Sequence, residues 1–222
     1  MTKVKICGVT QRAHALAAAE AGANFVGIVF ADSPRRLSVD QARPVVDALR
    51  SLGDSRPRVV GVFANASSEE VNATAEALEL DLVQLSGDES PDLLQRILRP
   101  AIKAVHLLTD EPPEVAAPAA REALARWRDA NVLPLLDAKI AGRYGGTGKA
   151  IDWSVARELA GDHEFLLAGG LTPGAVAETV RRVRPWGVDV SSGVETGGVK
   201  DVSKIRAFIQ AVRSVDPSRN EV

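Results

Sequence analysis

The chain carries one cysteine, one methionine and one tyrosine in 222 residues, and aromatic side chains make up only 4% of it. A single cysteine forbids an internal disulfide and with it a disulfide-stapled scaffold, which fits a reducing compartment. The formal net charge is −2, so there is no field of one sign to recruit nucleic acid or an acidic membrane surface. No apolar run approaches a membrane span, and the N-terminus enters a charged strand without the apolar core of a signal segment. His14, His106 and His163 have no spacing that suggests a metal site. The expectation is a cytoplasmic enzyme or binding domain, without nucleic acid or membrane among its partners.

What is present is alternation. Apolar strand-like runs at 3–9, 25–30, 59–63, 82–85, 102–106, 132–137, 165–168 and 187–190 are separated by helix-like stretches. Phe25-Val26-Gly27-Ile28-Val29-Phe30 is apolar throughout, as a strand covered on both faces must be. The helix after the second strand opens at Ser38, with Gln41 three residues on as its capping-box partner; Ser67 and Glu70 repeat the pattern. Further helices are expected from Gln11 to Ala21, at Pro91–Leu98, through Leu124 and Trp127, near Asp152, from Thr172-Pro173, and around Ile205–Val212, with a loop from Glu111 to Pro118. No gap is rich enough in proline, glycine and serine to be an interdomain linker. Eight strand–helix repeats imply a parallel sheet, and eight is the number that closes a (β/α)₈ TIM barrel. A doubly wound open sheet is the competing α/β architecture. The domain organisation expected is one barrel over 1–222, with a short polar tail from about Asp216.

In such a barrel, chemistry sits at the C-terminal ends of the strands. Cys7 ends the first strand, just before Gly8 and the polar Thr10-Gln11-Arg12. A lone cysteine is as readily a small buried hydrophobe as a reactive thiol, so position alone leaves both readings open. Asp137 ends strand six, where a solvated turn residue and a raised-pKa acid look alike. Asp189 lies inside Val188-Asp189-Val190, where burial is costly without a partner. Gly169-Gly170 after strand seven and Ser192-Gly193 after strand eight offer backbone N–H groups where barrels bind phosphate. Arg35-Arg36 follows strand two, as solvated surface or as a guanidinium for a carboxylate. The glycine-rich stretch from Gly142 to Gly148 follows strand six, and whether it closes over a ligand is not legible.

Taken together, Lys5-Ile6-Cys7-Gly8-Val9-Thr10, Ser33-Pro34-Arg35-Arg36, Gly61-Val62-Phe63, Gln84-Leu85, Gly145-Gly146-Thr147-Gly148, Leu167-Ala168-Gly169-Gly170-Leu171 and Val188-Asp189-Val190-Ser191-Ser192-Gly193-Val194-Glu195 resemble N-(5′-phosphoribosyl)anthranilate isomerase of tryptophan biosynthesis. The segments span the chain in order. One departure is Ser86, where the family usually has histidine after Gln-Leu. The resemblance implies an Amadori rearrangement of an aminoaldose phosphate to an aminoketose phosphate. It implies Asp137 as the general acid that opens the sugar ring and Cys7 as the general base at C2′, on nearly opposite sides of the barrel. Arg36 would hold the anthranilate carboxylate and Asp189 would lie near the substrate nitrogen. Gly169, Gly170, Ser192 and Gly193 would bind phosphate. No cofactor or metal is implied; the partner is a small sugar phosphate, and the enzyme would be a monomer or homodimer. Cys7 as base requires an accessible thiolate with a pKa at or below about 8.5.

Three rivals remain at this point. The related isomerase of histidine biosynthesis performs the same chemistry on a substrate with two phosphates, but uses aspartate where this chain has Cys7. Ribulose-phosphate epimerases need metal-ligand histidines on the strands. A non-catalytic phosphate-binding barrel would need neither Cys7 nor Asp137.

Overall fold

The computed structural model describes residues 1–108, 113–130, 132–139 and 153–216. The apolar runs form strands β1 (Lys3–Cys7), β2 (Phe25–Val29), β3 (Arg58–Phe63), β4 (Leu82–Leu85), β5 (Ala101–Leu108), β6 (Leu133–Lys139), β7 (Leu166–Ala168) and β8 (Gly187–Val190). Each pairs in parallel with the next, and β8 returns to β1 with Lys5 opposite Asp189, closing the ring. The helices between them are α1 (Arg12–Glu20), α2 (Val39–Arg50), α3 (Ser68–Ala77), α4 (Pro91–Leu94), α5 (Pro113–Asp129), α6 (Trp153–Asp162) and α7 (Val176–Val183), with α8 (Val202–Arg213) last. A two-stranded hairpin, β9 (Glu195–Thr196) and β10 (Val199–Lys200), fills the loop after β8. No helix among the described residues is long and apolar enough to cross a membrane.

Strand side chains alternate between two cores, which is why the runs are apolar throughout. Val26, Ile28, Val83, Leu136, Leu167 and Val188 face outward into the layer beneath the helices. Phe25, Val60, Leu82, Ile102, Leu135 and Leu166 fill the barrel interior. Above them, toward the C-terminal ends, Cys7 packs with Val29 and Val62. Cys7 therefore points into the barrel and not toward the helices.

The helix starts follow their caps. Ser38 Oγ accepts from Gln41 N at 3.2 Å while Ser38 N donates to Gln41 Oε1 at 2.9 Å, and Ser67 Oγ accepts from Glu70 N at 3.2 Å. Other boundaries differ from expectation. The first strand ends at Cys7 rather than Val9, because Gly8 turns the chain with φ +73°. The helix expected at Pro91–Leu98 stops at Leu94, and β5 is longer than its apolar run. The stretch expected to loop from Glu111 to Pro118 is helical from Pro113: a proline is tolerated at a helix start, and Pro118 removes one bond from an alanine-rich helix. Thr172-Pro173 opens a turn, with Ala175 N donating to Thr172 O, and α7 begins only at Val176. Asp216, expected to start a frayed tail, accepts from Thr2 N at 2.8 Å and Thr2 Oγ1 at 2.7 Å. Residues 217–222, Asp152 and the stretch Gly142–Gly148 lie outside the described residues.

Candidate active site

The C-terminal mouth of the barrel holds a cavity of about 220 Å³ lined by Cys7, Gln84, Ser86, His106, Asp137, Asp189 and the loops from Gly169 to Leu171 and Ser191 to Gly193. Period-two geometry explains the selection: the last inward-facing position of a strand points over the core into the mouth. Cys7 on β1, Gln84 on β4 and Asp189 on β8 each occupy one, while His106 on β5 and Asp137 on β6 line the same cavity two residues before their strands end. Cys7 and Asp137 share this cavity. They are not diametrically opposed; going round the ring, β7 and β8 lie between them.

Cys7 is 8% exposed and stands above a fully buried lysine. Lys5 Nζ donates to Asp189 Oδ1 at 3.0 Å, joining the neighbouring strands β1 and β8 through their inward faces. Burial pulls the Lys5 ammonium down, but Asp189 and the Cys7 sulfur outweigh it and hold it above its ordinary value. Burial pushes the Cys7 thiol up, only partly countered by Lys5. That differs from the low thiol pKa the sequence reading requires. The reason is desolvation: a sulfur at the floor of a barrel mouth has little water to stabilise its charge.

Asp137 is about one-third exposed and faces His106 across the register of β5 and β6, with Oδ2 3.8 Å from His106 Nδ1. His106 Nε2 lies 3.4 Å from the backbone oxygen of Ser86. An imidazole thus lines the mouth from β5, although Ser86 follows β4 where the family resemblance leads one to expect histidine. Ser86 itself accepts from Gln84 Nε2 at 3.0 Å.

The two glycine loops meet between Cys7 and Asp137. Gly169 and Gly170 adopt φ of +99° and +65°, consecutive left-handed positions suited to glycine. Gly193 lies so close to the β7 loop that a Cβ would sit 1.8 Å from Leu171 O. No lysine or arginine lines this cavity among the described residues, so an anion here would be met chiefly by backbone N–H groups.

The arginine pair divides. Arg35 turns across Gly8, whose absent Cβ would lie 2.5 Å from Arg35 Cδ. It grips Glu195 with Nε at 2.6 Å and Nη2 at 2.7 Å. Lys200, almost wholly buried, also donates to Glu195 and reaches Ser191 O at 3.0 Å. Burial alone would raise the Glu195 carboxyl, but its bonds from Arg35 and Lys200 hold it at about 2. Arg36 is exposed and lines a neighbouring groove with Phe30, Ser38 and Glu70, not the cavity itself. The structure therefore brings together Cys7, Asp137, Asp189, Gly169, Gly170, Ser192 and Gly193, and leaves the Arg36 side chain outside.

Lys5, Glu195 and Lys200 are absent from the candidate site residues read from the sequence, and Arg35 is read there only as one of an arginine pair, not as a partner of Glu195. Lys5 had a signal: it lies two residues before Cys7 in a strand, hence on the same face. Glu195 and Arg35 are 160 residues apart, and nothing local in the chain pairs them.

The family model described as N-(5'phosphoribosyl)anthranilate (PRA) isomerase matches residues 4–211. A relative of that name from Dehalococcoides mccartyi is 40% identical over 99% of this chain and 99% of its own. The crystal structure of phosphoribosyl anthranilate isomerase from Thermotoga maritima is similar with a TM-score of 0.83 and 36% identity, covering 96% of this chain and all of that one. A solved structure of phosphoribosyl anthranilate isomerase in complex with reduced 1-(o-carboxyphenylamino)-1-deoxyribulose 5-phosphate has a TM-score of 0.77 and 33% identity, covering 96% of this chain and all of that one.

Proposed function

The chain belongs to the N-(5′-phosphoribosyl)anthranilate isomerase family, and on that basis we propose that Cys7 is its general base and Asp137 its general acid. The enzyme catalyses the Amadori rearrangement of N-(5′-phosphoribosyl)anthranilate to 1-(o-carboxyphenylamino)-1-deoxyribulose 5-phosphate in tryptophan biosynthesis.

Protonated Asp137 gives its proton to the furanose ring oxygen as the C1′–O bond breaks and the nitrogen lone pair forms a Schiff-base cation. The Cys7 thiolate then removes the proton from C2′; the C–H electrons form the C1′–C2′ double bond, and the iminium π pair returns to nitrogen. The neutral enolamine tautomerises to the ketone. The substrate's own nitrogen is the electron sink, so the chemistry calls for no cofactor. Acid and base need opposite protonation states in one cavity. The observation that carries this assignment is that Cys7 and Asp137 face the same mouth from β1 and β6, with the glycine loops of β7 and β8 between them.

Gly169, Gly170, Ser192 and Gly193 hold the phosphate through their backbones, and Asp189 lies beside the substrate nitrogen. Arg36 makes no ion pair among the described residues; in this reading its exposed guanidinium swings over the rim to take the anthranilate carboxylate with two hydrogen bonds. The chain works as one barrel domain in the cytoplasm on a small sugar phosphate. Adding the purified protein to N-(5′-phosphoribosyl)anthranilate generated in place should abolish the substrate's fluorescence. Fluorescence that persists with folded protein overturns the function.

A further inference from the structure

A lysine with no exposed surface at the floor of a catalytic mouth needs an explanation. Lys5 has one carboxylate partner, Asp189, at 3.0 Å. Buried ion pairs are poor stabilisers, because desolvating both charges offsets much of their attraction, and an apolar pair of equal volume usually serves as well. The interior directly below is already apolar, with Phe25, Val60 and Leu166. Stability does not explain Lys5. Neither does nucleophilic catalysis, since a Schiff-base lysine must lose its proton and Asp189 holds this one charged.

Gly27 supplies the second observation. It pairs with Cys7 in the register of β1 and β2, and a Cβ on it would lie 3.0 Å from Cys7 Sγ and 3.3 Å from Lys5 Nζ. The missing side chain leaves one small space into which both the sulfur and the ammonium project. The other charges facing the sulfur are Asp189 from β8, Lys200 from β10 and Arg35 from the loop after β2, with Asp137 across the cavity. Lys200 and Arg35 are both engaged by Glu195. Lys5 is the cation on the sulfur's own strand, two residues before Cys7 on the same face.

We propose that Lys5 is a positioning residue for proton abstraction: its buried ammonium, oriented by Asp189, is the counter-cation that stabilises the Cys7 thiolate. This rests on Cys7 being the base. It resolves a difficulty of that assignment, since a desolvated thiol ionises reluctantly and a neutral thiol is no base.

With one cysteine in the chain, the pH dependence of thiol alkylation by iodoacetamide, read by mass spectrometry at Cys7, reports its ionisation. In substrate-free Lys5→Met, the Cys7 titration should move up by about one pH unit or more, the size of shift an adjacent opposite charge produces. The kcat deficit of Lys5→Met should also shrink as pH rises and Cys7 ionises unaided. An unchanged Cys7 titration overturns the proposal. If Lys5→Met does not fold, the wild-type protein decides the matter: NMR of the Lys5 side chain must show it protonated throughout the Cys7 titration, and loss of the Lys5 proton first overturns the proposal. Full turnover in Cys7→Ser would instead remove Cys7 as base and leave the measured Lys5–Cys7 coupling standing, so the two failures are distinguishable.

Discussion

Arg35 and Arg36 are neighbours in the chain with unlike surroundings. Arg35 is spent on Glu195, and its guanidinium braces the loop after β2 against the loop after β8. Arg36 is left exposed at the rim. Its replacement in Arg36→Met should raise KM by about tenfold or more, the loss expected when a charged bidentate hydrogen bond is removed, with kcat little changed. Steady-state kinetics check this, and an unchanged KM takes Arg36 out of the carboxylate site. At this scale the sequence was readable where a residue's position in a strand decides its surroundings. Cys7, Asp137 and Asp189 end strands or face the interior by alternation, so their meeting in one mouth follows from the fold. The environment of Cys7 was not readable, because its desolvation and its lysine neighbour depend on how the strands pack. Nor was the choice between the two arginines, which turns on Glu195, far along the chain.

Elements carry the site through loops that interlock. Gly193 after β8 leaves no room for a Cβ against Leu171 O after β7, so the two glycine loops are in backbone contact. A methyl group in Gly193→Ala must push them apart. The expected outcome is a lower Tm and inhibition by inorganic phosphate weakened by about tenfold or more, roughly the loss of one to two charge-assisted hydrogen bonds. Unaltered phosphate inhibition would mean that these loops do not form one anion site. Helix starts were legible where side chains cap them, as at Ser38 and Ser67. They were less so at Thr172, where no side-chain cap forms and a turn precedes α7, or at Pro113 and Pro118, where tertiary packing outweighs the bias of proline against helix interiors.

For the whole molecule, ring closure turns separate strand ends into one site. The Lys5–Asp189 register joins the first and last strands, so residues nearly the full chain apart become neighbours beneath Cys7. Asp137 stands three strands away on β6, and β7 and β8 supply the proposed phosphate loops between. A substrate anchored there has the proposed acid on one side and the proposed base on the other. Eight repeats in the sequence were enough to read the barrel, since alternation of this kind has few closed solutions; the spacing of acid and base around it needed the observed strand order. The most direct test is the single-turnover decay of N-(5′-phosphoribosyl)anthranilate fluorescence with wild type, Cys7→Ser and Asp137→Asn, each shown to be folded by circular dichroism. Both variants should slow the decay by at least about a hundredfold, within the range of a general acid or base; a near wild-type rate in either one contradicts its assigned role.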